Sequence, residues 1–157
     1  MKTQLAATLL LAFSTSLVVA NPPAIVPTDE PVAIAESLTP KLRKFLKKEM
    51  HLLAEAGRTM EAALGEGDSK TVANLAKRMH ESFIMKQELT TMDLRELKAI
   101  AGEDFVIRDK AFHAMADELS QAAGTGDHAL QQMLFDKMVR ACASCHAAYA
   151  PKASVLE

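Results

Sequence analysis

Two cysteines and a histidine close to the end of the chain have the types and spacing of a covalent cofactor site. Cys142, Cys145 and His146 follow the pattern C-x-x-C-H, which attaches a c-type haem. The two thiols bond to the vinyl groups of the porphyrin, and the imidazole takes one axial position on the iron. Residues i, i+3 and i+4 lie on one side of a helix, so the three side chains can address one flat cofactor. The chain contains two cysteines, and this motif uses both.

Two haem-free interpretations of the same residues remain open. The cysteines of Cys142 to Cys145 could form a disulfide, or they could bind a metal together with His146. A structural zinc site needs four ligands, and the motif supplies three. A thioredoxin-like use of C-x-x-C requires a βαβ context, and the sequence shows no strand-type alternation.

The N-terminus predicts where this chemistry takes place. Lys2 precedes an apolar run from Leu5 to Ala20, which is interrupted by serine and threonine alone and ends in small residues. This pattern is typical of a secretory signal peptide and is too short for a comfortable membrane span. We therefore expect residues 1–20 to be removed after about Ala20, export to the periplasm, and a mature protein without a membrane span.

The charge balance excludes some partners. The formal net charge is −2 at pH 7, which is too mild to indicate binding to nucleic acid or to an anionic membrane. Basic residues do gather between positions 41 and 48; they form either a solvated helix face or a docking patch for an acidic redox partner. No catalytic nucleophile, carboxylate pair or substrate cleft stands out, so the sequence does not predict an enzyme.

Proline and glycine divide the remainder of the chain. Residues 21–38 contain four prolines and predict an extended tether. Residues 39–151 form the predicted haem domain, in which no proline occurs between Pro40 and Pro151, and residues 152–157 form a short tail. The haem domain is rich in Ala, Leu, Met, Lys and Glu, a composition typical of helices.

Apolar periodicity and capping residues predict four main helices within this domain. The first begins at Thr39 and Pro40 and ends near Gly65; the second runs from Asp68 or Ser69 to about Leu89. After a short helical turn that closes at Gly102, the third runs from Glu103 to about Ala123, and the fourth runs from Asp127 to Pro151. Four amphipathic helices with these connections predict an all-α, antiparallel four-helix bundle with a C-terminal haem-attachment motif.

A signal peptide, four helices and one C-x-x-C-H motif near the end of the last helix resemble the class II c-type cytochromes, the cytochrome c-prime superfamily. The resemblance covers about Pro40 to Pro151, and Tyr149 matches the aromatic residue that this family usually has three positions after the histidine. Many members then have a basic residue, whereas this chain has Ala150. The resemblance implies that Cys142 and Cys145 anchor one haem c and that His146 is its proximal ligand.

The family resemblance also implies two possible states of the opposite axial position. Some members leave it open behind an apolar wall and bind small diatomic gases; others supply a methionine from the first helix and carry electrons. His146 lies about 20 residues, or roughly 30 Å, from the loop at Gly126, and Met50 lies about 15 residues, or roughly 22 Å, from the loop at Gly65. These two loops are expected at the same end of the bundle. The methionines that fit less well by height or by helix face are Met60, Met79, Met85 and Met115.

Met50 is therefore the candidate sixth ligand, with ordinary core packing as the alternative. His51 is a further alternative if the first helix is rotated. With a His/Met-ligated, low-spin haem, the protein is expected to carry electrons between redox partner proteins, with a homodimer as a possible assembly. With an open sixth position it is expected to bind NO or CO instead.

Overall fold

The described part of the protein is all-α. A computed structural model describes residues 33–152, and within that range the regular secondary structure is helical, without strands. Across the same range, no helix combines the length and the apolar character that a membrane crossing requires. The predicted signal peptide, residues 21–32 of the predicted tether and residues 153–157 of the tail lie outside the described residues.

Within the described residues, six helices follow one another. They are α1 (Ile34–Ser37), α2 (Pro40–Glu66), α3 (Ser69–His80), α4 (Met85–Glu88), α5 (Thr91–Thr125) and α6 (His128–Tyr149). The start residues agree with the sequence: the side chains of Thr39, Asp68, Thr90 and Asp127 each accept a hydrogen bond from a backbone N–H of the first turn. α2 and α5 end at Gly67 and Gly126, whose φ values of 73° and 74° are easily reached without a Cβ.

The second predicted helix is shorter than expected. α3 ends at His80 instead of about Leu89, and the chain resumes helical structure in the single turn of α4. Ser82 interrupts the helix with a φ of 59°, in the left-handed region. The carboxylate of Glu49 on α2 binds the backbone N–H groups of Phe83 and Ile84, so a partner distant in sequence replaces the missing helical hydrogen bonds.

α5 comprises the two predicted helical segments. Gly102 has a φ of 85° and a ψ of 172°, so residues 91–101 and residues 103–125 are separate helices across a kink. This agrees with the prediction of a short helix closed by Gly102.

The last residues of the predicted tether are helical rather than extended. α1 occupies Ile34–Ser37, and both Ile34 and Leu38 are buried. The guanidinium of Arg43 donates hydrogen bonds to the carbonyl oxygens of Glu36 and Leu38. The prediction of an extended tether up to residue 38 is therefore wrong for residues 34–37, because apolar burial and this cation hold a helical turn against the domain.

The core consists of two apolar clusters. The large cluster joins α2, α3, α5 and α6 through buried members Ala56, Met60, Ala63, Val72, Ala76, Met79, Ala116, Leu119, Ala122, Ala123, Leu134, Phe135 and Met138. The small cluster has buried members Ile34, Leu38, Leu42, Leu89, Leu97 and Ala101, with Phe105 and Tyr149 packed against it. α3 packs most extensively on α5, and α5 on α6, whereas α2 makes only sparse contact with α6.

Candidate functional site

The three motif residues lie in the last turns of α6. Cys142 and Cys145 are half-buried free thiols. The backbone carbonyl of His146 accepts a hydrogen bond of 2.8 Å from the N–H of Ala150, which closes the helix. The ring atom Nδ1 of His146 is buried and has no hydrogen-bond partner among the described residues. A buried polar nitrogen in this state costs free energy, so the imidazole is suited to a partner that supplies an interaction.

Both thiols are held in their protonated form. Burial, and after it the neighbouring Cys145, raises the pKa of Cys142 to about 11. Burial also raises the pKa of Cys145, where Asp109 and Asp104 act in the same direction against the opposing charge of Arg108. Addition of a thiol S–H across a vinyl group gives a thioether, so both side chains have the chemistry that covalent attachment of a porphyrin requires.

Hydrogen bonds from α5 hold the motif segment. The guanidinium of Arg108 donates to Oδ2 of Asp104 at 2.7 Å and to Oγ of Ser144, between the two cysteines, at 3.1 Å. The phenol of Tyr149 donates to the same Asp104 oxygen at 2.7 Å. These donors, Arg108 first, hold the pKa of Asp104 below its ordinary value. The last turns of α6 are therefore attached to α5 on both sides of His146.

Met50 lies half-buried on α2, whereas the residues before and after it have opposite environments. Glu49 is 2% exposed and hydrogen-bonded. His51 is exposed, and its Nε2 lies 3.9 Å from the carboxylate of Glu55. The exposure of His51 does not favour the alternative in which a rotated α2 presents this histidine to the haem.

The candidate residues all lie in the interval between the two apolar clusters. Along α2, the small cluster ends at Leu46 and the large cluster begins at Leu53; on α6, the corresponding limits are Val139 and Tyr149. Met50 falls inside the first interval, and the motif falls inside the second. On α5 the interval covers residues 106–111. Half-buried side chains from three helices thus lie at the boundary between two cores without belonging to either.

Contacts made through α3 and α5 relate the positions of α2 residues to those of α6 residues along the long axis of the domain. The successive links are Glu49 to Ile84, Met79 to His113, and Arg108 to Ser144. Following these links places Met50 within about two helical turns of His146 along the long axis of the domain. The two proposed axial ligands therefore lie at comparable heights, and ligation by Met50 stays a prediction.

The other histidines serve the fold. Nδ1 of His113 contacts the backbone carbonyl of Met79 at 2.6 Å, and Nδ1 of His80 contacts the carbonyl of His113 at 3.0 Å. A carbonyl accepts, so both ring nitrogens donate. His80 is half-buried, and His128 is exposed.

The structure adds two residues that sequence reasoning did not single out. Glu49 lies between Leu46 and Leu53 at helical spacing, which places a carboxylate in the apolar stripe of the helix. That position was the signal in the sequence that Glu49 is buried and has a hydrogen-bond partner. Arg108 and Asp104 have the i,i+4 spacing of a helical ion pair, but nothing local indicates that Arg108 reaches α6.

Two shallow grooves lie on the surface of the described residues, and neither is lined by a motif residue. One, of about 470 Å³, is lined by residues of α2 and α3 and by Phe83; the other, of about 320 Å³, is lined by α2 and α6 and extends to Arg140. Within residues 33–152, no group of three or more His, Cys, Asp or Glu side chains is arranged to hold a metal ion by itself.

The residues of this site fit a covalently attached haem. They supply two neutral thiols, an imidazole nitrogen without a partner, and apolar half-buried side chains between two cores. Comparison with known proteins matched the chain to no family model, no curated protein and no solved structure. What the site can do therefore follows from its own residues.

Proposed function

We propose that the chain is an exported, monohaem c-type cytochrome that carries electrons between redox partner proteins and is not an enzyme. Cys142 and Cys145 attach one haem c, and His146 and Met50 are its axial ligands. The proposal includes the resemblance to class II c-type cytochromes and a periplasmic location after removal of residues 1–20.

The proposal also includes an antiparallel four-helix bundle, formed by α2, α3, the second segment of α5, and α6. Contacts between α5 and its neighbours support opposite directions. Ser120 of α5 is hydrogen-bonded to Ala73 of α3, whereas His113, which comes earlier on α5, is hydrogen-bonded to Met79, which comes later on α3. Between α5 and α6, Asp104 pairs with Tyr149 and Arg108 with Ser144. Two-residue connections after α2 and α5 are typical of antiparallel neighbours.

The observation that carries the proposal is the position of the motif and Met50 in the interval between the two clusters. The imidazole of His146 and the half-buried thiols of Cys142 and Cys145 lie there in the last turns of α6. A flat apolar group between α2 and α6 would cover these side chains and connect the two cores. The sparse contact between these two helices is consistent with a group inserted between them.

Each residue has a definite task in this proposal. The cofactor supplies the one-electron chemistry when bound. Cys142 and Cys145 fix its orientation, and His146 and Met50 hold the iron in one geometry, so that little rearrangement accompanies electron transfer. A thioether sulfur as axial ligand raises the reduction potential relative to a second histidine. Arg108 and Tyr149 keep the C-terminal turns of α6 in place.

The test is the absorbance spectrum of the purified haem-loaded protein, oxidised and reduced, beside two variants. Met50→Leu removes the sulfur and nearly conserves volume. Met60→Leu makes the same change at a fully buried position of the large cluster on the same helix. We expect the wild type and Met60→Leu to show low-spin bands and the weak long-wavelength sulfur-to-iron band. We expect Met50→Leu to retain covalent haem but to lose that band and to bind carbon monoxide when reduced.

Other outcomes would identify the alternatives. A high-spin wild-type spectrum that changes on addition of carbon monoxide would make Met50 a packing residue and the protein a five-coordinate haem protein binding NO or CO. A colourless protein, produced in a host with a haem-attachment system, would favour a disulfide or metal use of Cys142 and Cys145.

A further inference from the structure

We propose that Glu49 is the positioning residue for the sixth haem ligand: its buried carboxylate holds α2 at the rotation and height that present Met50 to the motif helix. This inference rests on the proposed function, because it assigns a second residue to the same His/Met site. It concerns a side chain adjacent to the ligand in sequence that would not itself contact the iron.

The carboxylate of Glu49 is completely engaged. Oε1 accepts from the hydroxyl of Ser82 at 2.8 Å and from the N–H of Phe83 at 2.9 Å. Oε2 accepts from the N–H of Ile84 at 2.8 Å and from that of Met85 at 3.3 Å. Hydrogen bonds to an ionised acceptor are stronger than neutral ones, and four donors converge here on a side chain that is 2% exposed.

This attachment acts together with the buried apolar residues of α2 in fixing which face of the helix is buried. Adjacent residues of a helix point about 100° apart, so fixing Glu49 toward the segment 82–85 fixes the direction of Met50 as well. Rotation of α2 by even part of this angle would break hydrogen bonds at both carboxylate oxygens. It would also release Ser82, whose left-handed backbone conformation these contacts hold.

The middle of α2 has few other restraints. Its N-terminal end is held by the ion pair of Lys41 with Asp93 and by the bonds of Arg43, and its C-terminal half packs in the large cluster from Leu53 onward. Between these regions lies the interval that contains Met50, and α2 contacts α6 sparsely. Glu49 supplies the polar attachment within that interval.

The experiment compares haem-loaded Glu49→Gln with a matched control at the other end of the domain. Glu49→Gln conserves shape but directs an NH₂ group at backbone donors. Gln131 is a fully buried side chain that joins α6 to Ser69, and Gln131→Glu makes the reverse isosteric change. Ser82→Ala, which removes one hydrogen bond to Glu49, is the milder variant should Glu49→Gln not accumulate. The readouts are haem content, the sulfur-to-iron band on heating, helix content on heating, and carbon monoxide binding.

We expect Glu49→Gln to retain covalent haem and folded helices while its sulfur-to-iron band disappears well below the temperature of helix unfolding. At a fixed carbon monoxide concentration, binding should rise roughly tenfold, since apparent affinity scales with the fraction of molecules in the open state. Ser82→Ala should shift both readouts in the same direction by less. In Gln131→Glu, band and helices should be lost together.

If folded Glu49→Gln loses the sulfur-to-iron band and the helices together on heating, this inference is overturned and Met50 remains the ligand. Where Glu49→Gln does not accumulate, the same result with Ser82→Ala has the same meaning. Absence of the band from the wild type would instead overturn the proposed function, and with it this inference.

Discussion

The phenolic oxygen of Tyr149 donates a hydrogen bond of 2.7 Å to Oδ2 of Asp104, joining the end of α6 to α5 directly after Gly102. The same carboxylate oxygen accepts from Arg108, and the Tyr149 ring meets Phe105 edge-on with the centroids 5.2 Å apart. The C-x-x-C-H motif ends at His146, three residues before Tyr149. The position of the motif relative to α5 therefore depends on the bond from Arg108 to Ser144 and on an aromatic residue that is polar at one end and apolar at the other.

Tyr149→Phe should lower the free energy of unfolding by about 1 kcal/mol, because the ring packing remains and one hydrogen bond is lost. Asp104 keeps its bond to Arg108, which limits the loss. Urea denaturation followed by circular dichroism measures this difference. No change in midpoint would mean that the hydrogen bond contributes nothing net.

The same variant has a signature at high pH. Burial, together with the Asp104 carboxylate, raises the pKa of Tyr149 to about 12, above the ordinary value of 10. The folded protein therefore binds the phenolic proton more tightly than the unfolded chain. Its contribution to stability is complete below pH 10 and is lost as the pH rises toward 12. Tyr149→Phe should remove this part of the alkaline decline; a decline equally steep in both proteins would contradict the assignment.

Asp93→Asn should reduce the acid sensitivity of the protein. Hydrogen bonds from Lys41, then from Thr90, lower the pKa of Asp93 from 3.8 to about 2. The unfolded chain binds this proton more readily, so the stabilisation is present above pH 4 and lost as the pH falls through 2. The melting temperatures of wild type and Asp93→Asn should differ at pH 7 and converge near pH 2. Curves that stay parallel between pH 4 and pH 2 would exclude this role for Asp93.

Cys142 should react slowly with iodoacetamide in haem-free protein. Its pKa of about 11 lies well above the ordinary 9.0, and the thiolate is the reactive form. At pH 8 the rate should be roughly a hundredfold below that of the urea-unfolded chain, since the thiolate fraction falls tenfold for each pH unit below the pKa. Peptide mass spectrometry measures the modification at each cysteine. A rate that reaches half of its plateau near pH 9, as for an unshifted thiol, would disagree with the buried, protonated thiol.

Gly102→Ala and Gly57→Ala should change stability in opposite directions. At Gly102 the backbone occupies a region almost exclusive to glycine, so a Cβ costs on the order of 1–3 kcal/mol. Gly57 lies in the interior of α2, where an added Cβ meets no atom within 4 Å, and alanine should add about 1 kcal/mol of helix propensity. Urea midpoints of the haem-free variants provide the comparison. Destabilisation by both substitutions would indicate a close contact at Gly57.

Local signals in the sequence predicted the starts of the four main helices and the break at Gly102 correctly. Thr39, Asp68, Thr90 and Asp127 bind backbone groups within three residues of themselves, so their role is visible without any knowledge of the fold. The same holds for Gly102, whose conformation depends on its lack of a side chain. The C-x-x-C-H pattern is visible in the same way, because its three residues lie close together along one helix, and its use for haem stays a prediction.

The end of α3 and the helical turn α1 could not be predicted in this way. Helix propensity carries the second helix toward Leu89, but Glu49 binds the segment 82–85 from 33 to 36 residues away and offers a better arrangement. Prolines suggest an extended segment up to residue 38, yet Ile34 and Leu38 enter the small cluster. Both outcomes depend on partners that only folding brings together.

By itself, the sequence determined the all-α character, the helix caps and the placing of a C-x-x-C-H motif on one helix, because these depend on neighbours along the chain. Tertiary structure decided that Glu49 is buried beside a half-buried Met50, that Arg108 reaches Ser144, and that two clusters leave the motif at their boundary. The physical reason is that a polar or charged group can be buried only where hydrogen-bond partners meet it, and an apolar group only where other apolar groups surround it. In this protein those partners come from other segments, dozens of residues away in the chain.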